Sequence, residues 1–144
     1  MQDFSTVHRM LDYVDKLPDN LPFDYHNPEC CVYGLARAHM PEYVNLAEMK
    51  GGWKLNCDQL QAYQGLSSSQ FNALYGGVTH RVVDRSGNAS PYSVDPYDRH
   101  AIIESMRLML AKWEADQALA HAKRAEVRVF LDSLDASFLD EEYA

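Results

Sequence analysis

The spacing of hydrophobic residues near the amino terminus predicts an amphipathic helix. Apolar side chains recur three and four positions apart, as one face of an α-helix requires: Val7, Met10, Leu11, Val14 and Leu17. Ser5 precedes them as an N-cap, and we expect the helix to run to about Lys16.

A second helix is predicted to begin with a proline. Asn27 is a capping residue, and Pro28 occupies the first helical position that proline favours. This helix is expected to stop before Pro41, because proline cannot continue it. These bounds place Cys30 and Cys31 in its first turn.

Two short helices are predicted in the middle of the chain, followed by a segment that is mostly loop, with at most one short strand or hairpin. Asn56 can cap the stretch CDQLQAYQ, and Gly65 can supply its left-handed stop. Ser67 and Gln70 have the spacing of a capping box for the next helix. The β-branched residues of Val78–Val83 favour a strand, although an isolated hairpin is only marginally stable.

The last third of the chain predicts one long helix, or two with a bend. Asp95 and Pro96 are a cap and a first-position proline, and neither glycine nor proline follows them. The first half of this helix carries a packing face: Tyr97, Ile102, Ile103, Met106, Met109, Leu110 and Trp113.

The elements together predict a mainly α fold. We expect a single small helical domain of about five helices with a long C-terminal helix and at most one short hairpin. Residues 1–95 form the helical body. Residues 96–144 form the long helix and an acidic tail, as part of the same domain or as an interaction arm.

Composition agrees with a folded cytoplasmic protein. The chain has 144 residues, of which 47% are hydrophobic and 24% charged, as in globular domains. Three cysteines, two of them adjacent, do not form the even, spaced set of a secreted disulfide scaffold. The sequence has neither a signal-peptide pattern nor a long apolar run, so we expect no membrane association.

The charge balance argues against direct binding of nucleic acid. The chain has 13 basic and 21 acidic residues, for a formal net charge of −8, and its basic residues are scattered. A phosphate-binding surface needs a concentrated positive face. The acidity therefore has two interpretations, a solubilising surface or a negative face that competes with nucleic acid for a basic groove.

The end of the long helix is predicted to bind a partner. The alanine-rich stretch EADQALAHAKRAE offers little to bury, but large apolar residues return beyond it on one face. Such a stripe needs burial by the domain itself, by a second copy or by another protein. The candidate partner-binding residues are Val127, Phe130, Leu131, Leu134, Phe138, Asp140, Glu141 and Glu142.

Two further stretches resemble a loose group of short bacteriophage and prophage proteins. The group shares Phe-Asp, then a Cys-x-x-Gly-x-Ala helix start, and later a Gly-Leu-Ser helix ending at Leu-Phe or Leu-Tyr. The resemblance covers about residues 20 to 110 and implies a phage origin and a small helical fold, but no activity. The doubled cysteine and the long carboxy-terminal extension depart from it. The matching residues are Phe23, Asp24, Cys31, Gly34, Ala36, Gly65, Leu66, Ser67, Leu74 and Tyr75.

The paired cysteines allow a catalytic hypothesis. A thiol in the first turn of a helix has a lowered pKa and can act as a nucleophile. Cys30 or Cys31 followed by His80 has the chain order of papain-like hydrolases, with Asp84 or Asn88 as an orienting group.

Simple packing is the alternative for these cysteines. Cys31 then points inward with Leu35 and Ala38 at helical spacing, and Cys30 lies near the surface with Arg37 about two turns on.

Metal binding is not expected. The possible ligands do not form the close cysteine pairs of zinc ribbons and fingers, and no cofactor is predicted. These possible ligands are His26, Cys30, Cys31, His39, Cys57 and His80.

The sequence therefore predicts that this chain acts by protein–protein binding. Its partner is a host protein, a second copy, or both. With the phage resemblance, the concrete hypothesis is an inhibitor of a host enzyme or defence system, such as an anti-CRISPR protein. A small cysteine hydrolase and a structural dimerisation module are the alternatives.

Overall fold

The fold is a small all-α domain, which confirms the predicted class. The computed structural model describes residues 1–48, 57–75 and 94–143, and every regular element within these ranges is a helix. The segment 78–83, predicted to be mostly loop with at most one short strand or hairpin, lies outside them. The helices are α1 (Ser5–Asp15), α2 (Val32–His39), α3 (Pro41–Glu48), α4 (Cys57–Gln64), α5 (Ser68–Tyr75) and α6 (Arg99–Tyr143).

The apolar face predicted for α1 is confirmed, but its predicted cap is wrong. Four of its five predicted members, Val7, Met10, Leu11 and Val14, are buried, whereas Leu17 lies beyond the end of α1 and is only half-buried. Ser5 is the first helical residue, and its backbone N–H donates to Asp3 Oδ1 at 2.9 Å. The carboxylate of Asp3, two residues upstream, therefore accepts a hydrogen bond from the first N–H group of the helix.

The predicted start of α2 at Asn27 and Pro28 is wrong. The Asn27 side chain accepts a hydrogen bond from the backbone N–H of Glu29 at 3.0 Å, which folds this stretch into a turn. The helix begins only at Val32, with Cys31 as its N-cap. The Asn27 side chain stabilises this turn instead of capping the helix. An asparagine can do either, and its position in the sequence does not show which role it takes.

Pro41 begins a helix that the sequence reasoning missed. Helix α2 ends at His39, before this proline, as predicted. The carbonyl of Met40 then accepts from the backbone N–H of Val44 at 3.0 Å, and α3 starts at Pro41. Proline at a first helical position loses no hydrogen bond, so the same residue stops one helix and starts the next.

The local signals around α4 and α5 are confirmed. Gly65 follows α4 with a φ of +68°, in the left-handed region that glycine favours. The backbone N–H of Ser67 donates to Gln70 Oε1 at 2.9 Å, and the N–H of Gln70 donates to Ser67 Oγ at 3.2 Å. This is the reciprocal pair of a capping box. The predicted cap of α4, Asn56, lies outside the described residues.

Helix α6 is one helix, and it starts later than predicted. It begins at Arg99, three residues beyond Pro96, and Asp98 Oδ1 accepts from the backbone N–H of Ala101 at 3.1 Å. Tyr97, expected on the packing face, is 71% exposed, so that expectation is wrong. Trp113 is half-buried. The buried members of the face are Ile102, Ile103, Met106, Met109 and Leu110.

The chain divides into two compact units, Gln2–Ala111 and Lys112–Ala144. The first holds the hydrophobic core, to which α1, α2, α3, α4, α5 and the first part of α6 contribute. The second consists of the rest of α6. The largest fully buried side chains of the core are Tyr43, Met10, Leu11, Leu60, Leu74, Ile102, Ile103, Met106 and Leu110.

Candidate functional site

Cys31 caps a helix. Its backbone is extended, with φ −74° and ψ −178°, and its Sγ accepts a hydrogen bond from the backbone N–H of Gly34 at 3.4 Å. The prediction that Cys30 and Cys31 lie in the first turn is therefore wrong, because α2 begins one residue after Cys31 and two residues after Cys30. Its predicted inward neighbour Leu35 is buried, but Ala38 is exposed, so the predicted packing face is only half correct.

The environment of Cys31 disfavours a thiolate. Burial raises the pKa of its thiol, and this outweighs the hydrogen bond from Gly34, which acts to lower it. A cysteine nucleophile needs the opposite shift. The proposed partner His80 and the orienting groups Asp84 and Asn88 lie outside the described residues, so the catalytic hypothesis stays a prediction.

Gly34 explains the Cys-x-x-Gly spacing structurally. A Cβ at this position would lie 2.6 Å from the carbonyl oxygen of Pro28 and 2.6 Å from the carbonyl carbon of Glu29. The turn before α2 therefore passes directly against the helix, where only glycine leaves room. The motif can be accounted for by this close approach without any catalytic role.

The possible metal ligands do not converge in the part of the chain that the structure describes. No group of three or more histidine, cysteine or carboxylate side chains among the described residues has the geometry to hold a metal ion. Residue His80 and the side chain of Cys57 lie outside that description.

An ion-pair cluster joins α1 to the start of α6. Arg107 donates to Asp12 Oδ1 at 2.9 Å and to Asp15 Oδ2 at 3.1 Å. The His100 ring nitrogens lie 2.6 Å from Asp15 Oδ1 and 2.8 Å from Asp19 Oδ1. Hydrogen bonds to Asp19 and Asp15 raise the pKa of His100. Sequence reasoning missed this cluster: the spacing of the three aspartates shows that they are close together, but not which distant basic residues they contact.

A buried polar network also escaped sequence reasoning. Gln64 is almost fully buried, donates from Nε2 to Tyr43 Oη at 3.0 Å and accepts from Tyr75 Oη at 2.5 Å. Burial raises the pKa of Tyr75 well above its ordinary value. The Gln64 amide and the two tyrosine hydroxyls therefore satisfy one another's hydrogen-bonding groups inside the core, which indicates a structural role.

The strongest candidate binding surface lies on the last part of α6. We call it the 127–134 face. Each of its four side chains is about half exposed. The four are Val127 at 56%, Phe130 at 61%, Leu131 at 52% and Leu134 at 49%.

The spacing of these four residues, three and four positions apart, places them on one side of the helix. Val129, 69% exposed, lies on the opposite side. The remaining predicted binding residues are Phe138, Asp140, Glu141 and Glu142, whose side chains the structure does not describe.

Basic side chains flank the 127–134 face toward its amino-terminal end. Lys123, Arg124 and Arg128 are exposed, and with Val127 and Leu131 they border a shallow hollow that Asp132 completes. The arrangement combines an apolar strip with a charged border, which is typical of a protein-binding surface.

Comparison of the chain with protein-family models, with curated proteins and with solved structures gave no match. Among the residues described, no helix combines the length and the apolar character that a membrane crossing needs.

Proposed function

We propose that this protein acts through protein–protein binding at the 127–134 face. The exposure of Val127, Phe130, Leu131 and Leu134 on one side of one helix carries the proposal. Burying a large apolar side chain gains about 1.5–3 kcal/mol relative to leaving it exposed. Because these side chains are about half exposed, a partner that covers this face gains part of that free energy from each of the four.

The biological role that we propose is that of a phage accessory protein that inhibits a host enzyme or defence system in the host cytoplasm, in the manner of an anti-CRISPR protein. The resemblance of residues 20 to 110 to phage proteins supports the origin. The net charge of −8 supports action on a host protein rather than on nucleic acid directly. The raised pKa of Cys31 gives the hydrolase alternative no comparable support.

A phage infection assay tests both parts of the proposal. Bacteria with active CRISPR immunity express the wild-type protein or the double variant Phe130→Asp plus Leu134→Asp. We expect the wild type to restore plaque formation and the double variant to lose this activity, because two charges oppose burial of the face. Val129→Asp, a matched change on the opposite side of the helix, should retain it.

Each failure has a separate meaning. A double variant that inhibits as well as the wild type, with both proteins expressed equally, excludes the 127–134 face as the binding surface. A wild-type protein that leaves CRISPR and other defence systems fully active excludes the inhibitory role. Thermal melts of the two variants show whether a loss of activity comes from loss of the fold.

A further inference from the structure

We infer that the partner on the 127–134 face is a second copy of this chain, bound in antiparallel orientation. The inference rests on the proposed function: it names a second copy as the protein that covers the 127–134 face, so that the dimer is the form that acts on the host target. It follows from the order of apolar and charged residues along α6, which makes this face complementary to itself in one orientation.

The apolar residues follow the seven-residue repeat of a coiled coil. Val127, Leu131 and Leu134 are spaced four and three apart, and Phe138 continues the series after four more residues. Arg124 and Glu141 occupy the next positions of the repeat at its two ends. Helix α6 extends to Tyr143 and so includes the whole series.

Charge changes sign along this series. At the core and flanking positions of the repeat, Lys123, Arg124 and Arg128 come before the centre of the series, and Asp135 and Glu141 come after it. The first half of one copy therefore attracts the second half of another when the helices run in opposite directions.

One antiparallel register pairs the core positions of the repeat and the flanking position of Arg128 favourably. Leu131 of each copy lies opposite Leu134 of the other, and Val127 lies opposite Phe138. Arg124 then faces Glu141. At the flanking position of the repeat, Arg128 faces Asp135.

The two-fold symmetry of a dimer makes each of these contacts occur twice. The centre of the pairing falls between Asp132 and Ser133.

The other arrangements bring like charges together. A parallel pair would place Arg124 against Arg124, Glu141 against Glu141 and Lys123 beside Arg128. Shifting the antiparallel register by one repeat would place Arg128 against Arg128 or Asp135 against Asp135. Like charges at these positions oppose association, so the sequence of charges specifies both orientation and register.

The hollow on α6 fits this register. Arg124, Val127, Arg128 and Leu131 border it, and these four positions enclose one hole of the kind that receives a side chain in a coiled coil. In the register above, Phe138 of the second copy lies opposite this hole. The pairing therefore matches an aromatic residue to a shallow hollow lined by two apolar side chains, three basic side chains and Asp132.

Sedimentation of the full-length protein and two charge variants tests the inference. We expect the wild type to be a dimer. Arg128→Asp places two aspartates opposite each other, and Asp135→Arg places two basic residues opposite each other, so each variant alone should raise the dimer Kd by about tenfold or more. An equimolar mixture of the two variants should form a heterodimer, because every such pair is then of opposite charge.

The mixture separates orientation from a general loss of folding. Variants that fail to fold would not recover on mixing, and Val129→Asp should dimerise like the wild type. A parallel dimer would be tightened by Arg128→Asp, which sets an aspartate beside Lys123, and this result would overturn the inference.

A wild type that is monomeric at all concentrations would also overturn the inference. The proposed function would still stand in that case if Phe130→Asp plus Leu134→Asp abolished inhibition in the infection assay.

Discussion

The two compact units carry the same kind of apolar pattern but bury it very differently. Met106 and Leu110, within Gln2–Ala111, are 0% exposed. Val127 and Leu131, in the unit that begins at Lys112, are 56% and 52% exposed. Both pairs lie on the same helix with the same spacing. Periodicity therefore predicts a helix and its apolar face, but not whether the chain itself covers that face.

The largest expected difference between the units is the cost of removing a leucine side chain. Leu110→Ala should lower the free energy of unfolding by about 2–5 kcal/mol, because it leaves a cavity in the core. Leu131→Ala should change it by about 0.5 kcal/mol or less in dilute protein, because its side chain is half exposed. Urea unfolding measures both, and equal losses would mean that the 127–134 face belongs to the core.

The next effect concerns the turn that packs against α2. Gly34→Ala should destabilise the protein by about 1–3 kcal/mol, since the new Cβ overlaps backbone atoms of Pro28 and Glu29 that cannot move independently.

Gly65→Ala is the comparison for that substitution. Its Cβ would meet only Asp3 O at 3.7 Å, so about 1–2 kcal/mol of left-handed backbone strain should account for its loss. A Gly34→Ala protein as stable as the wild type would show that the turn relaxes away from the helix.

A smaller effect is expected at the cap of α2. Cys31→Ala should cost about 0.5–1 kcal/mol because Gly34 loses its acceptor, whereas Cys31→Ser should retain the cap. Cys30→Ala serves as the neighbouring control.

Alkylation by iodoacetamide tests the chemistry of the same thiol. The rate at Cys31 should rise only above the ordinary thiol pKa of about 8.5, because burial raises its pKa. Rapid alkylation near neutral pH would instead support the hydrolase alternative.

The smallest effect is the pH dependence of the ion-pair cluster. Since the folded protein raises the pKa of His100, its contribution to stability is complete below the unfolded value of about 6.5. The contribution disappears as pH rises through the folded value.

His100→Gln should therefore cost about 0.2–0.5 kcal/mol at acidic pH and almost nothing at alkaline pH, a small figure because the ring is 54% exposed. Thermal melts across pH, with His121→Gln as the exposed control, measure this. A loss that grows with pH would contradict the assigned protonation.

The sequence by itself determined those features whose partners lie within a few residues. The apolar face of α1 and the capping box of Ser67 and Gln70 follow from local spacing. The left-handed glycine after α4 does so as well. The 127–134 face was also predicted from spacing, although its role as a binding surface stays a prediction. The loop or short hairpin at 78–83 and the pairing of a cysteine with His80 also stay predictions.

The tertiary structure decided the features that depend on distant groups or on competing local choices. Asn27 can cap a helix or stabilise a turn, and in the folded chain it stabilises a turn. Pro41 can end one helix or start the next, and it also starts α3. The contact of Asp15 with His100 joins residues 85 positions apart, which no local pattern encodes. Burial is likewise a property of what surrounds a side chain, and for this reason Leu110 and Leu131 have the same periodicity but different environments.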